Sequence, residues 1–318
     1  MPTVVDPFRS MLLWASTNRT LAGRLPRLHS VRATVARFMP GETPEDALDA
    51  ADALASRGIA AAFTHLGENV EDPAQAAGVA EHYLGLLDRI AERGLDAEIS
   101  VKLTHLGLDL GEDVAARNAA RLAGRAAELD TRVWLDMEAS GHVERTIEVY
   151  RRLLATFPDT GICLQAYLRR TPQDAADLLA LGASIRFVKG AYREPPTVAI
   201  QDGRAIDATF RRLASGAARR RRDAGGRGRL VLGTHDVELL RRIDGDLRAL
   251  GIGREDVEVE MLFGIRAADQ VALAGEGFRV RTLIAYGPHW YPWFMRRLAE
   301  RPANVLIALR NLIARAPA

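Results

Sequence analysis

Lysine is almost missing from this chain. Of its 43 basic side chains only Lys102 and Lys189 are lysine, so wherever a plain positive charge suffices the chain uses arginine. An ammonium differs from a guanidinium in being a compact, strongly hydrated point charge whose pKa shifts readily. Both lysines close apolar strand-like runs, Glu98-Ile-Ser-Val-Lys102 and Ile185-Arg-Phe-Val-Lys189. A polar residue at the end of a buried strand is costly unless it faces a cavity or a ligand. Cysteine is scarcer still. The single Cys163 excludes an internal disulfide and suits a reducing compartment, and its apolar run Gly161-Ile-Cys-Leu164 points to packing rather than catalysis.

Other absences narrow the function. No apolar run approaches the ~18 residues needed to span a bilayer, and the N-terminus has no signal-peptide pattern. The expectation is a soluble, cytoplasmic protein, with peripheral contact at the inner face of the membrane left open. The net charge is only +2, which gives no ground for nucleic-acid binding. The one dense basic run, Arg219 to Arg222, reads as a solvated helix end rather than a phosphate patch. There is no GxGxxG, since Gly251-Ile-Gly253 runs into Arg-Glu-Asp, and no P-loop. The seven histidines lack metal-ligand spacing, so no metal is expected, and His65, His105 and His289 read as loop or core residues. Any nucleotide cofactor must therefore be held by loops rather than by a Rossmann unit.

What is present is a regular alternation. Strand-like runs fall near 59–66, 97–103, 132–137, 161–166, 184–189, 229–235, 256–262 and 278–285. Helical stretches such as 73–93 and 112–129 separate them. Gaps long enough for a crossover helix imply parallel neighbours. Eight such units without a change of pattern predict an α/β fold, a (β/α)8 barrel of TIM type. Residues 1–57 read as an N-terminal helical arm, in which Thr43 caps a helix beginning at Pro44, and 58–318 as the catalytic barrel. Pro302 splits two extra C-terminal helices, near 290–301 and 303–315.

Active sites of such barrels lie at the C-terminal ends of the strands. Those ends read Glu68, Lys102, Asp136, Gln165, Arg186/Lys189, Thr234-His235, Leu262 and Tyr286. All but Leu262 are polar. The opposite ends, at Gly58, Asp96, Thr131, Gly182 and Gly228, read as turns. With period two, Ser100 and Lys102 share a face, as do Trp134 and Asp136. Arg186 and Lys189 are three apart and cannot both face inward from a regular strand, so the strand ends or bulges between them. After the eighth strand, Arg296 and Arg297 lie about 100° apart around a helix and could grip one carboxylate from two sides. Glu300 is spaced to brace them, and Trp290, Tyr291, Trp293 and Phe294 make this the most aromatic stretch in the chain.

Seven short stretches, in order along the chain, resemble the monofunctional flavin-dependent proline dehydrogenase family. They are Leu66-Gly-Glu68, Ser100-Val-Lys-Leu-Thr104, Leu135-Asp-Met-Glu138, Leu164-Gln-Ala-Tyr-Leu168, Arg186-Phe-Val-Lys-Gly-Ala-Tyr192, Gly233-Thr-His235 and Met295-Arg-Arg-Leu298. The resemblance implies a distorted barrel holding FAD that oxidises L-proline to Δ1-pyrroline-5-carboxylate, the first step of proline catabolism. Electrons would pass to a quinone or similar acceptor, at a membrane surface, and a separate pyrroline-5-carboxylate dehydrogenase would act downstream. It puts Arg186 near flavin N5, and Met137, Gln165, Lys189, Gly190, Ala191, Thr234 and His235 on FAD. Lys102, Arg296 and Arg297 would bind the substrate carboxylate, with Asp136 anchoring that cluster. Tyr192, Leu262 and Tyr286 would shape the pocket, and Glu68 would be the gate acid. Two departures stand out: Trp293 where the family has Tyr, and Asp207-Ala-Thr-Phe210 where it has Asp-x-x-Tyr.

The alternative is a Schiff-base barrel aldolase using Lys102 or Lys189, which also needs a lysine at a strand end with an acid nearby. It explains Lys102 and Asp136 but leaves the arginine pair, Gln165 and Tyr192 without a task. A non-catalytic module binding anionic surfaces through Arg219 to Arg222 explains less.

Overall fold

The computed structural model describes residues 35–67, 70–226, 228–291 and 294–295. Eight parallel strands close into a barrel in sequence order: β1 (Ala60–His65), β2 (Ala97–Lys102), β3 (Val133–Asp136), β4 (Gly161–Gln165), β5 (Ser184–Val188), β6 (Leu230–Gly233), β7 (Val257–Leu262) and β8 (Arg279–Tyr286). Every predicted strand is present. The eighth pairs with the first through Ala60↔Arg281 to His65↔Tyr286, which closes the ring.

Helices α1 (Pro44–Ala55), α2 (Pro73–Glu92), α3 (Glu112–Glu128), α4 (Val143–Leu154), α5 (Thr171–Ala180), α6 (Gly203–Asp223), α7 (Val237–Ala249) and α8 (Ala267–Gly275) accompany them. Their starts follow the sequence. Thr43 forms a capping box with Asp46 ahead of Pro44, and Asp72 accepts from Gln75 N ahead of Pro73. The expected helical arm is described only from Val35 onward, and its α1 packs on β1 and β8.

Strand alternation divides the barrel into two chemistries. One face of each strand carries Ile99, Val101, Leu135, Ile162, Leu164, Ile185, Phe187, Val259 and Ile284 into a continuous apolar layer beneath the helices. The other face fills the lumen, and there the side chains are charged. Near the N-terminal ends, Glu98 and Glu258 meet Arg229 and Arg281 across the barrel. Arg281 Nε lies 2.8 Å from Glu258, and Arg229 Nη2 is 2.5 Å from the same carboxylate. Trp134 donates its indole N–H to Glu98 at 2.7 Å. Burial works against the Glu98 charge, but Arg281 and Arg229 prevail and hold its carboxyl below the usual range. The strand starts expected to be turns carry Gly58, Gly182 and Gly228 at positive φ, and just inside them a buried ion network floors the lumen.

The basic run at the end of α6 is not simply solvated. Arg221 donates to the carbonyl oxygens of Gly228 and Asp256, and Arg222 to that of Leu250, so the run ties the ends of neighbouring elements together.

Candidate active site

One layer above the floor, toward the C-terminal ends, Arg186 crosses the lumen from β5. Its Nη1 contacts both oxygens of Glu260 at 2.8 and 3.0 Å. Its Nη2 donates to Ser100 Oγ at 2.7 Å and to Asp136 Oδ1 at 2.5 Å. Trp134 stacks against the guanidinium at 5.2 Å. Burial opposes the charge on Arg186, but Glu260 and Asp136 overcome it and keep the guanidinium ionised. The carboxyl of Glu260 is pushed up by burial, an effect Arg186 only partly offsets.

The dilemma of strand 5 is resolved by its length. β5 ends at Val188, so Arg186 stays inside and Lys189 belongs to the following loop. Lys189 pairs with Asp207 of α6 at 2.5 Å and with Asp236 at 3.0 Å. Asp236 also caps α7 by accepting from Leu239 N. Burial raises the Asp236 pKa, but the Leu239 N–H and Lys189 more than compensate and depress it. Lys102 follows Ser100 on the lumen face of β2, its Cα in register with that of Asp136, and makes no salt bridge among the described residues.

The mouth holds further sites for a ligand. Gln165 donates Nε2 to the Met137 carbonyl at 3.3 Å, while its buried Oε1 finds no hydrogen-bond partner among the described residues. An unsatisfied buried acceptor is expensive and suits a ligand N–H. Gly190 has φ +114°, and a Cβ there would fall 2.2 Å from the Tyr167 ring, so only glycine lets this backbone line the mouth. Ala191 and Tyr192 follow in the same loop, whose Tyr192 carbonyl accepts from the Tyr167 hydroxyl at 3.3 Å. Thr234 is buried and donates its N–H to the Glu260 carbonyl, and His235 beside it is half-buried.

One expected pocket residue is placed differently. Tyr286 lies five residues from the lumen-facing Arg281, so period two turns it to the opposite face of β8. Its hydroxyl lies 2.7 Å from His82 Nε2 on α2, and its ring is fully buried in the helix-facing layer. Leu283 faces the lumen instead, in register with Leu262 of β7. The outer layer here also gathers His65 and His105, with the His65 and His82 rings 4.1 Å apart. His105 is buried, His65 is half-buried and His289 is exposed in a turn, in line with the reading of loop or core residues. Where β1 and β2 separate, the Tyr83 hydroxyl accepts from His65 N at 2.8 Å and donates to the Ser100 carbonyl at 3.3 Å.

Sequence reading also missed Glu260 and Leu283 as lumen residues. The signal for Glu260 was available: Val257-Glu-Val-Glu-Met261 alternates strictly, and only a charged lumen accommodates two glutamates on one strand face. Glu68, Trp293, Arg296 and Arg297 lie outside the described residues.

Fold and site together define an enzyme of the β/α-barrel class, with an arginine clamped between two acids below polar strand ends. The sequence profile for the family described as Proline dehydrogenase matches residues 47–306. Proline dehydrogenase 1 of Bacillus subtilis (strain 168) is 34% identical over 310 residues, covering 96% of this chain and 99% of its own. A proline dehydrogenase of Deinococcus radiodurans is 36% identical over 282 residues, covering 87% of this chain and 89% of the other. Among solved structures, proline utilization A of Bdellovibrio bacteriovorus superposes with a TM-score of 0.80 at 22% identity, over 92% of this chain. This chain spans only 36% of that longer protein, and the likeness there is one of fold. The chain belongs to the proline dehydrogenase family and is an oxidoreductase acting on proline. The aldolase alternative gains no support.

Proposed function

We propose that the enzyme uses FAD to oxidise L-proline to Δ1-pyrroline-5-carboxylate. The observation that carries the cofactor reading is the unsatisfied, buried Gln165 Oε1 at the end of β4, an acceptor that seeks a donor at the barrel mouth. Met137, Gln165, Arg186, Lys189, Gly190, Ala191, Thr234 and His235 would hold the cofactor. When bound, FAD supplies a two-electron acceptor, chemistry that no side chain offers.

Loss of hydride from the ring carbon next to nitrogen, with the nitrogen's proton, leaves a C=N bond and balances the two electrons. The protein's task is to hold a small zwitterion still. Its carboxylate is the one strong handle, and Lys102 faces the lumen at the mouth to meet it. Arg296 and Arg297 join it on the strength of the family resemblance. Each charge-assisted bond contributes about 1.5–3 kcal/mol. Asp136 holds Arg186 at 2.5 Å, so the guanidinium is a fixed donor. Leu262 and Leu283 present an apolar wall to the ring, Tyr192 borders it from the β5 loop, and Glu68 is the gate acid.

Resemblance alone supports the remaining steps: a quinone acceptor reached at a membrane surface, and a separate pyrroline-5-carboxylate dehydrogenase downstream. Among the described residues no helix is long and apolar enough to cross a membrane. The division into an arm, 1–57, and a barrel, 58–318, is supported by α1 packing outside the strand ring. The test is purification followed by anaerobic titration with L-proline. Yellow protein bleached by proline is expected; colourless protein that takes up no FAD on reconstitution refutes the reading.

A further inference from the structure

Arg186 carries two carboxylates where one would neutralise it. Asp136 bonds Nη2, and Glu260, only 5% exposed, covers Nη1 with both oxygens. Among the described residues Arg186 is the only cation in salt-bridge contact with Glu260, and the two carboxylates that touch it outnumber its single charge. Anchors on β2, β3 and β7, with Trp134 against the guanidinium plane, leave Arg186 no rotation that keeps its bonds.

We propose that Glu260 is a positioning residue for proline oxidation. It locks the Arg186 guanidinium and, as a second carboxylate on one cation, adds a fixed negative charge where electrons arrive, holding the flavin's reduction potential down. The inference rests on the flavin reading above. Reduction adds negative charge, and a fixed anion nearby disfavours it. Desolvation together with the neighbouring carboxylates of Glu258 and Asp136 makes a charge on Glu260 costly, so a carboxyl group placed against Arg186 here calls for a role. An uncharged side chain would satisfy Nη1 without that cost.

Glu260→Gln separates the two roles, because its amide oxygen still accepts from Nη1 while the charge is gone. Glu260→Leu removes both. Flavin content and the midpoint potential of the bound flavin, read by dye equilibration, are measured beside stopped-flow reduction by proline. Glu260→Gln should retain its flavin and favour the reduced form roughly tenfold, a rise of about 30 mV for a two-electron couple. Glu260→Leu should show the same rise but be reduced at least tenfold more slowly than Glu260→Gln, because Arg186 is no longer locked. An unmoved potential in Glu260→Gln overturns the charge role. Equal reduction rates in the two variants overturn the positioning role. A wild-type protein that binds no flavin overturns the functional reading itself, a result distinct from either.

Discussion

His65 should make this enzyme sensitive to mild acid. Its half-buried ring stacks on His82 at 4.1 Å and lies 5.6 Å from His105 and 5.4 Å from Tyr286. Burial first, and then the neighbouring charges of His82, His105 and His289, push its pKa down to about 3. In the unfolded chain the ring takes up a proton near pH 6.5, while the folded chain holds it neutral. The unfolded state therefore binds more protons between about pH 6.5 and 3, and stability falls as pH drops through that window. Between pH 7.5 and 5 the full shift corresponds to about 2 kcal/mol. Solvent reaches part of the ring, so about 1 kcal/mol is the expected loss. His65→Phe keeps a flat ring in the stack and removes the titration. Denaturant midpoints for wild type and variant at pH 7.5 and 5.0 measure the difference. Wild type should lose about 1 kcal/mol more than His65→Phe, roughly 2 °C in melting temperature. Parallel losses in the two proteins would refute the reasoning.

Arg281→Met strands Glu98 and Glu258 with too little positive charge, and should cost about 3–5 kcal/mol in denaturant unfolding. Flavin reduction per folded molecule should be retained, since the floor lies a layer below Arg186; unchanged stability would contradict the network reading. Tyr83→Phe leaves the His65 N–H and the Ser100 carbonyl without their bridge, for about 1–3 kcal/mol. Faster amide exchange at His65 is the matching local sign, and protection equal to wild type would count against it. Gly190→Ala puts a methyl against the Tyr167 ring in a left-handed backbone and should weaken FAD binding at least tenfold, read by flavin fluorescence. Full flavin retention would remove this loop from the cofactor site.

The sequence by itself determined the unit that repeats. Strand alternation and helix caps are local, so all eight strands, the Thr43 cap and the face shared by Ser100 and Lys102 were readable from neighbouring residues. So was the family, because its short motifs sit at strand ends. Only the tertiary structure decided which strand face meets the lumen at the mouth. Tyr286 ends β8 and reads as a pocket residue, yet counting from Arg281 turns it outward to His82, and Leu283 faces the lumen in its place. Arg186 meets Ser100 from the opposite side of the barrel, 86 residues away in sequence, and Glu260 from 74 residues away. Closure of the ring creates those contacts. A charge buried by closure carries no local mark, because the partner that makes its burial tolerable lies on another strand.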